Sequence, residues 1–286
     1  MIQGRLVRPE DVAQIRAWLV ANPEAHRTRL SRELCLRWNW RNHVGQLKDM
    51  ACRTLLLKLE AQGHLELPVR RRPPVNGHRH REVVQVEHDP SPIECRLEEL
   101  QPVRLELLLE GSTGAALFRF LLQRYHYLGH RTCVGENLKY LARDRQGRPV
   151  ACLLFGSAAW KAAARDHWIG WEPPQRVGNL HLLTNNMRFL VVPWAKVPYL
   201  ASHVLAQVTS RLSADWQAKY GHPIYLVETF VECERFRATC YRAAGWTHLG
   251  VTTGRTRNDE GTGRRVPIKA IYVRPLRPDA PRRLCQ

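Results

Sequence analysis

The stretch "YLVETFVECERFRATCYRAAGWTHLGVTTGR", residues 225–255, decides the fold. Its first third is an apolar run that meets Glu228 and has the length of a buried strand. "RFRATCYRAAGW", 235–246, reads as a helix, and "THLGVTTGRT", 247–256, as the next strand. Strand, helix, strand is the unit of an α/β sheet domain.

Outward from there the same grammar continues. "VPIKAIYVRPL", 266–276, is a closing strand. On the other side, "YLASHVLAQVTSRLSADWQAKYG", 199–221, carries Leu200, Val204, Val208 and Leu212 on one helical face. "NLHLLTNNMRFLVVP" gives a strand with a buried run at 189–192. "NLKYLARDRQGRPVACLLFGSAAW" gives two strands that turn at 144–147, a hairpin signal. "GAALFRFLLQRYHYLG", 114–129, is a helix with Leu117, Leu121 and Leu122 apolar, and "EPPQR" marks a proline-rich break. These elements place an α/β (α+β) domain over 104–286, preceded by a linker or surface strap, 89–103, with three prolines and alternating charge.

Residues 1–88 form a different pattern. Val12, Ile15 and Leu19 recur at helical spacing, a second helix follows with Ser31 as expected N-cap, and "KDMACRTLLLKLEAQG" makes a third. "HLELP" and "EVVQVEH" read as strands around the basic turn "VRRRPPVNGHRHR", 69–81. Three helices and a hairpin with a basic tip resemble a winged helix. That module would set Lys48 and Arg53 of the third helix, and Arg70, Arg71, Arg72, Arg79 and Arg81 of the wing, on DNA.

Charge agrees with such a partner. Lys and Arg number 44 against 26 Asp and Glu, a formal net charge of +18, which suits a polyanion. No apolar run is long enough to span a membrane, and the N-terminus has no signal-peptide pattern. The expected location is therefore the cytoplasm, with nucleic acid as partner and no membrane. The eight cysteines are scattered, without metal-ligand spacing, so no metal site is expected.

Within 115–275, "ARDRQGRPVACLLF", "MRFLVVP" and "CYRAAGWTHLG" resemble the GNAT acyltransferase fold in their order: hairpin, central strand, helix, strand, then a helix ending Tyr-x-x-x-Gly-Trp. The resemblance implies a coenzyme A thioester at the helix after the central strand, at Tyr199, Ala201 and Ser202. It also implies Tyr241 as proton donor to a leaving group. One departure stands out: "PWAKVPYLASHVL", 193–205, has no glycine where acyltransferases of this fold carry a glycine-rich loop, and Pro193 and Pro198 lack amide donors.

"YHYLG", "RDHWIGW", "NNMRFLVVP", "LASHVL", "VETFV" and "CYRAAGWTHLGVTTGR" are in addition similar to the domain family that includes the Druantia anti-phage protein A. That resemblance implies a DNA-associated role in phage defence or mobile elements, with a helicase or transposase as possible partner.

Glu228, at a strand end where α/β folds place ligands, is a candidate general base or the partner of a nearby Arg. Asp166 is a candidate acid or a salt-bridge partner of Arg165. Arg188 and Arg255 would contact nucleic acid, and His126 and Tyr127 close a helix, either facing the cleft or, for the His, capping the helix end. Three functions fit: a transferase acting on nucleic acid, a DNA-recognition protein that recruits a helicase or transposase, and a metal-dependent nuclease using Asp166, Glu228 and Glu232.

Overall fold

A computed structural model of the protein describes residues 7–41, 45–69, 84–254 and 266–286. The chain divides into two units, Met1–Arg79 and His80–Gln286, each with its own apolar core.

The first unit packs α1 (Pro9–Ala21), α2 (Arg27–Arg37) and α3 (Asp49–Ala61) around Ile15, Trp18, Leu30, Leu34, Leu55, Leu56 and Leu59. α2 starts a turn earlier than Ser31 suggested. His26 Nδ1 accepts the Arg29 amide at 3.1 Å, and Ser31 is buried inside the helix with its hydroxyl on the Thr28 carbonyl. "HLELP" forms no strand ladder among the described residues. Leu65 and Leu67 plug the helical core. The Leu67 amide donates to Glu60 (3.1 Å), and Arg27 donates to the Pro68 carbonyl (2.7 Å) while pairing with Glu60 at 3.2 Å. Side chains here take the backbone groups that a β partner would use. Residues 84–88 are likewise not in a strand. The expected wing residues Arg70, Arg71, Arg72, Arg79 and Arg81, and Arg255, lie outside the described residues. Lys48 is exposed at the start of α3, and Arg53 is tied to Asp49 at 2.9 Å.

The second unit is a seven-stranded sheet flanked by helices. In chain order its elements are α4 (Leu97–Leu100), β1 (Arg104–Leu107), α5 (Thr113–Tyr125), β2 (Leu138–Arg143), β3 (Pro149–Ser157), α6 (Ala163–Ile169), α7 (Pro173–Asn179), β4 (Leu183–Val191), α8 (Leu200–Tyr220), β5 (Leu226–Glu232), α9 (Thr239–Ala243), β6 (Thr247–Val251), β7 (Lys269–Pro275) and α10 (Ala280–Leu284). The strands lie in the order β1-β2-β3-β4-β5-β7-β6. The expected hairpin is β2–β3, where Asp144 accepts the amides of Gln146 and Arg148 at 2.9 Å each and so closes the turn. Along α8 the stripe Leu200, Val204, Val208 and Leu212, continued by Trp216, is fully buried in the main core. The segment before β1 is a strap, not a free linker. Ile93 donates to the Trp194 carbonyl at 2.8 Å, and Ile93, Leu100 and Val103 are buried. Among the described residues no helix is long and apolar enough to cross a membrane.

Every neighbouring pair of strands is antiparallel except β4 and β5. Those two run parallel for three residues only, Leu183–Asn185 against Leu226–Glu228. Beyond that point β4 follows β3 to Val191, while β5 follows β7 to Glu232. The sheet is split from there on.

Candidate active site

Three local devices make the split. First, β4 carries a bulge. Leu154 faces Arg188 and Phe155 faces Asn186, so Met187 has no opposite residue and the strand bends. Gly156 makes room for it, since a Cβ there would collide with Met187 Sδ. Second, Asn186 is buried and fully used. Its Nδ2 donates to the carbonyls of Leu154 (3.3 Å) and Arg188 (3.1 Å), bracing the bulge, and its Oδ1 accepts the Tyr241 hydroxyl at 2.7 Å. Third, the Thr229 hydroxyl donates to the Asn186 carbonyl at 3.1 Å, capping a group that the parallel ladder has left behind.

Glu228 closes the paired side of the fork. Its Oε2 accepts from Arg165 at 2.7 Å and its Oε1 from the Ala159 amide at 2.6 Å. Arg165 is completely buried and also grips Asp166 (2.7 Å) and the Ala159 carbonyl (2.8 Å). Asp166 in turn accepts from Trp171 Nε1 at 3.2 Å and lies 3.6 Å from Arg176. Burial pushes the Glu228 carboxyl above its usual range, and the Arg165 charge beside it works in the other direction. Glu228 and Asp166 are thus brought together, around Arg165, and neither is among the residues lining the cleft. Glu232 pairs with Arg235 at 3.2 Å instead. Among the described residues no group of three or more His, Cys, Asp and Glu side chains is placed to hold a metal ion.

The open side of the fork is a cavity of about 1020 Å³. β4 lines it from Asn185 to Val191, β5 from Thr229 to Val231, α9 and the preceding turn from Phe236 to Tyr241, and the end of α5 with Tyr125 to Leu128. Ala201, in the first turn of α8, also belongs to the wall. Three cations, Arg188, Arg237 and Lys269, and no carboxylate stand among these described lining residues.

Tyr241 reaches the wall because α9 is one turn long and starts from Ala238 in a left-handed conformation (φ 54°). Gly245 (φ 76°) then turns the chain so that Trp246 packs edge-on against Tyr241 at 5.1 Å. This is the physical content of the Tyr-x-x-x-Gly-Trp pattern. Burial drives the Tyr241 phenol well above its ordinary value, so it stays protonated. His126, the residue that ends α5, has its Nδ1 on the Leu128 amide at 3.1 Å. Burial and the nearby Arg188 charge bring it down to about 4, so the ring is neutral at pH 7 and its proton sits on Nε2.

The first turn of α8 was expected to take a pyrophosphate. Tyr199 (φ 63°) precedes the helix and is 79% exposed, and the Ser202 hydroxyl donates back to its carbonyl at 3.0 Å. The amides of Leu200 and His203 are used by Val197 and Tyr199. Those of Ala201 and Ser202 have no recorded partner among the described residues. Two amides without a backbone acceptor among the described residues, that of Ala201 on the cleft wall, therefore stand at a helix N-terminus where a glycine-rich loop would offer more.

Sequence reasoning named Arg188 and His126 but passed over Asn186's part in the bulge, Thr229 and Phe236. The Asn185-Asn186 pair reads from sequence either as amides for a polar ligand or as turn chemistry; it lies inside β4, and Asn186 braces the bulge.

Hairpin, split central strands, helix, strand and Tyr-x-x-x-Gly-Trp helix, in this order, make the second unit a mixed α/β sheet domain with the order of elements expected from the sequence. The family model of Druantia protein DruA matches residues 58–284, and the chain belongs to that family. Among solved structures it is similar to the spermidine N-acetyltransferase of Vibrio cholerae in complex with CoA and spermine, at 9% identity and a TM-score of 0.41, covering 61% of this chain and 95% of that one. The Vibrio cholerae spermidine/spermine N-acetyltransferase SpeG with manganese ions is similar at 9% identity and a TM-score of 0.39, covering 61% and 92%. A likeness of that degree says nothing about substrate. No curated protein matches the chain.

Proposed function

We propose that the protein serves an anti-phage system as a DNA-associated, cytoplasmic component whose second unit transfers an acyl group to nucleic acid. The observation that carries this reading is the fork between β4 and β5. Two strand edges face each other across a cavity, without ladder partners among the described residues, a place where an extended, amide-bearing arm can be held by backbone groups. A coenzyme A thioester has such an arm and would supply the acyl group. The free Ala201 and Ser202 amides would hold its phosphates, and the strand edges its amides. Tyr241 keeps a proton at its hydroxyl for the leaving group, with Asn186 as its resting acceptor. Arg188, Arg237 and Lys269 draw an anionic acceptor into the same space.

The test is mass spectrometry of oligonucleotides incubated with the full chain and acetyl-CoA. Wild type adds an acetyl mass, and Tyr241→Phe slows the addition roughly 10²-fold or more, as loss of an acid does. An unmodified oligonucleotide under all conditions overturns the reading. In that case one observation favours a DNA-recognition protein that recruits a helicase or transposase: no carboxylate lines the cleft among the described residues, so no acidic general base is at hand. Phage protection would then survive Tyr241→Phe.

A further inference from the structure

Resting on the transferase reading, and narrowing its substrate, a group of flat side chains at the rim of the cleft calls for a ligand of its own. Tyr127 is at its centre. The His126 ring stacks on it at 4.9 Å and 30°, the Phe236 ring lies 5.3 Å away, and the Arg235 guanidinium sits 5.1 Å over it. These come from two distant parts of the chain, the end of α5 and the turn after β5. Packing for its own sake would bury them, yet Phe236 is 47% exposed and the Arg235 side chain 56%. Leu128, also on the wall, is 40% exposed.

Cations prevail around this group, although Glu232 pairs with Arg235 at 3.2 Å. Arg188 is half-buried near Tyr127 and, among the described residues, bonds only to carbonyls, Gly129 at 3.1 Å and Met187 at 2.7 Å. Its desolvation and the neighbouring Arg131 charge both press its basicity down. A guanidinium taken from water beside another cation, with no carboxylate recorded on it among the described residues, is a cost that an anion would remove. Arg237 and Lys269 stand on the same wall, and neither is in an ion pair among the described residues.

We infer that this rim is a stacking platform for an unpaired nucleotide. The base lies on Phe236 and the Arg235 plane, and the phosphates on either side lie toward Arg188, Arg237 and Lys269. Flat exposed rings with surrounding cations are the means by which proteins hold single strands without reading their sequence, and an Arg plane stacks on a base as well as a ring does. A duplex would hide its base faces from Phe236, so the platform selects single strands, flipped bases or ends.

The experiment uses the full chain and 15-mer oligo-dT, oligo-rU and a matching duplex, each with one 2-aminopurine. Binding is read by anisotropy and stacking by 2-aminopurine quenching. Quenching on a single strand and not on the duplex is expected, with single-strand affinity falling roughly five- to hundredfold in Phe236→Ala. Phe236→Trp restores both signals. Phe236 is exposed, so its loss leaves the fold intact, and the melting temperature checks this. Equal quenching in Phe236→Ala and wild type overturns the proposal, as does displacement of the single strand by an acidic peptide of equal charge at equal concentration. The oligo-dT and oligo-rU arms tell DNA from RNA. Acetyl transfer is scored separately on wild type, so a failed platform and a failed transferase give different results.

Discussion

The two halves of the β4–β5 seam treat their charges in opposite ways. Where the strands pair, Arg165 is fully buried and holds Glu228, Asp166 and a carbonyl, and Glu228 is completed by the Ala159 amide. Where they part, Arg188 is half-buried and, among the described residues, holds only carbonyls. The contrast separates scaffold from site. A buried charge whose every partner comes from the chain locks an element in place, and one left short of its counter-charge marks where a ligand belongs. Glu228 and Asp166, attractive from sequence as catalytic carboxylates, fall on the scaffold side.

If so, the largest effect comes from breaking the closed half. Arg165→Met leaves the buried Glu228 carboxylate without its charged partner, with the Ala159 amide still on it, and lowers stability by about 3–5 kcal/mol, read by urea unfolding. The double variant Arg165→Met, Glu228→Gln recovers part of that loss. Next, Tyr241→Phe leaves Asn186 Oδ1 without its donor and costs about 1–3 kcal/mol, because the acceptor is buried and stays unpaired. Smaller still in stability is Arg188→Met on the open half. It leaves the melting temperature within a few degrees of wild type but lowers the salt slope of oligonucleotide binding by about 1, the signature of one lost phosphate contact.

The smallest effect is on pH dependence. His126 is depressed in the folded chain to about 4 from an unfolded value near 6.5. The unfolded state therefore takes up the proton first. The stability that neutral His126 contributes is complete above the unfolded pKa and is lost as pH falls through about 4. His126→Gln flattens the melting temperature across that window. An unchanged acid limb would contradict the depression of His126 by burial and by the Arg188 charge.

Much of the scaffold could be read in advance. The α8 stripe and the β2–β3 turn announce themselves because the residues that matter are three to four apart, or within one turn. What failed to show was longer-range or too short. Pro173 and Pro174 read as a break, yet they open α7, where a missing amide costs nothing. α9 is five residues long where the pattern suggested a longer helix. The strand expected at 64–68 lost its ladder to Glu60 and Arg27, a pairing that no periodicity reports. The fork is a property of register between strands more than 40 residues apart. Likewise Arg165 and Glu228 lie 63 residues apart in sequence and meet only through the sheet. The sequence marks Glu228 as unusual, but its partner decides what it does.

The open half is either a ligand site or only a gap in a sheet, and calorimetric titration with coenzyme A distinguishes the two most directly. Wild type should bind with a micromolar Kd. Ala201→Glu, which sets a carboxylate at the free amides of α8, should give no heat while melting at the wild-type temperature. A wild-type chain that takes up no coenzyme A at millimolar concentration, or an Ala201→Glu chain that binds as wild type does, would contradict the account.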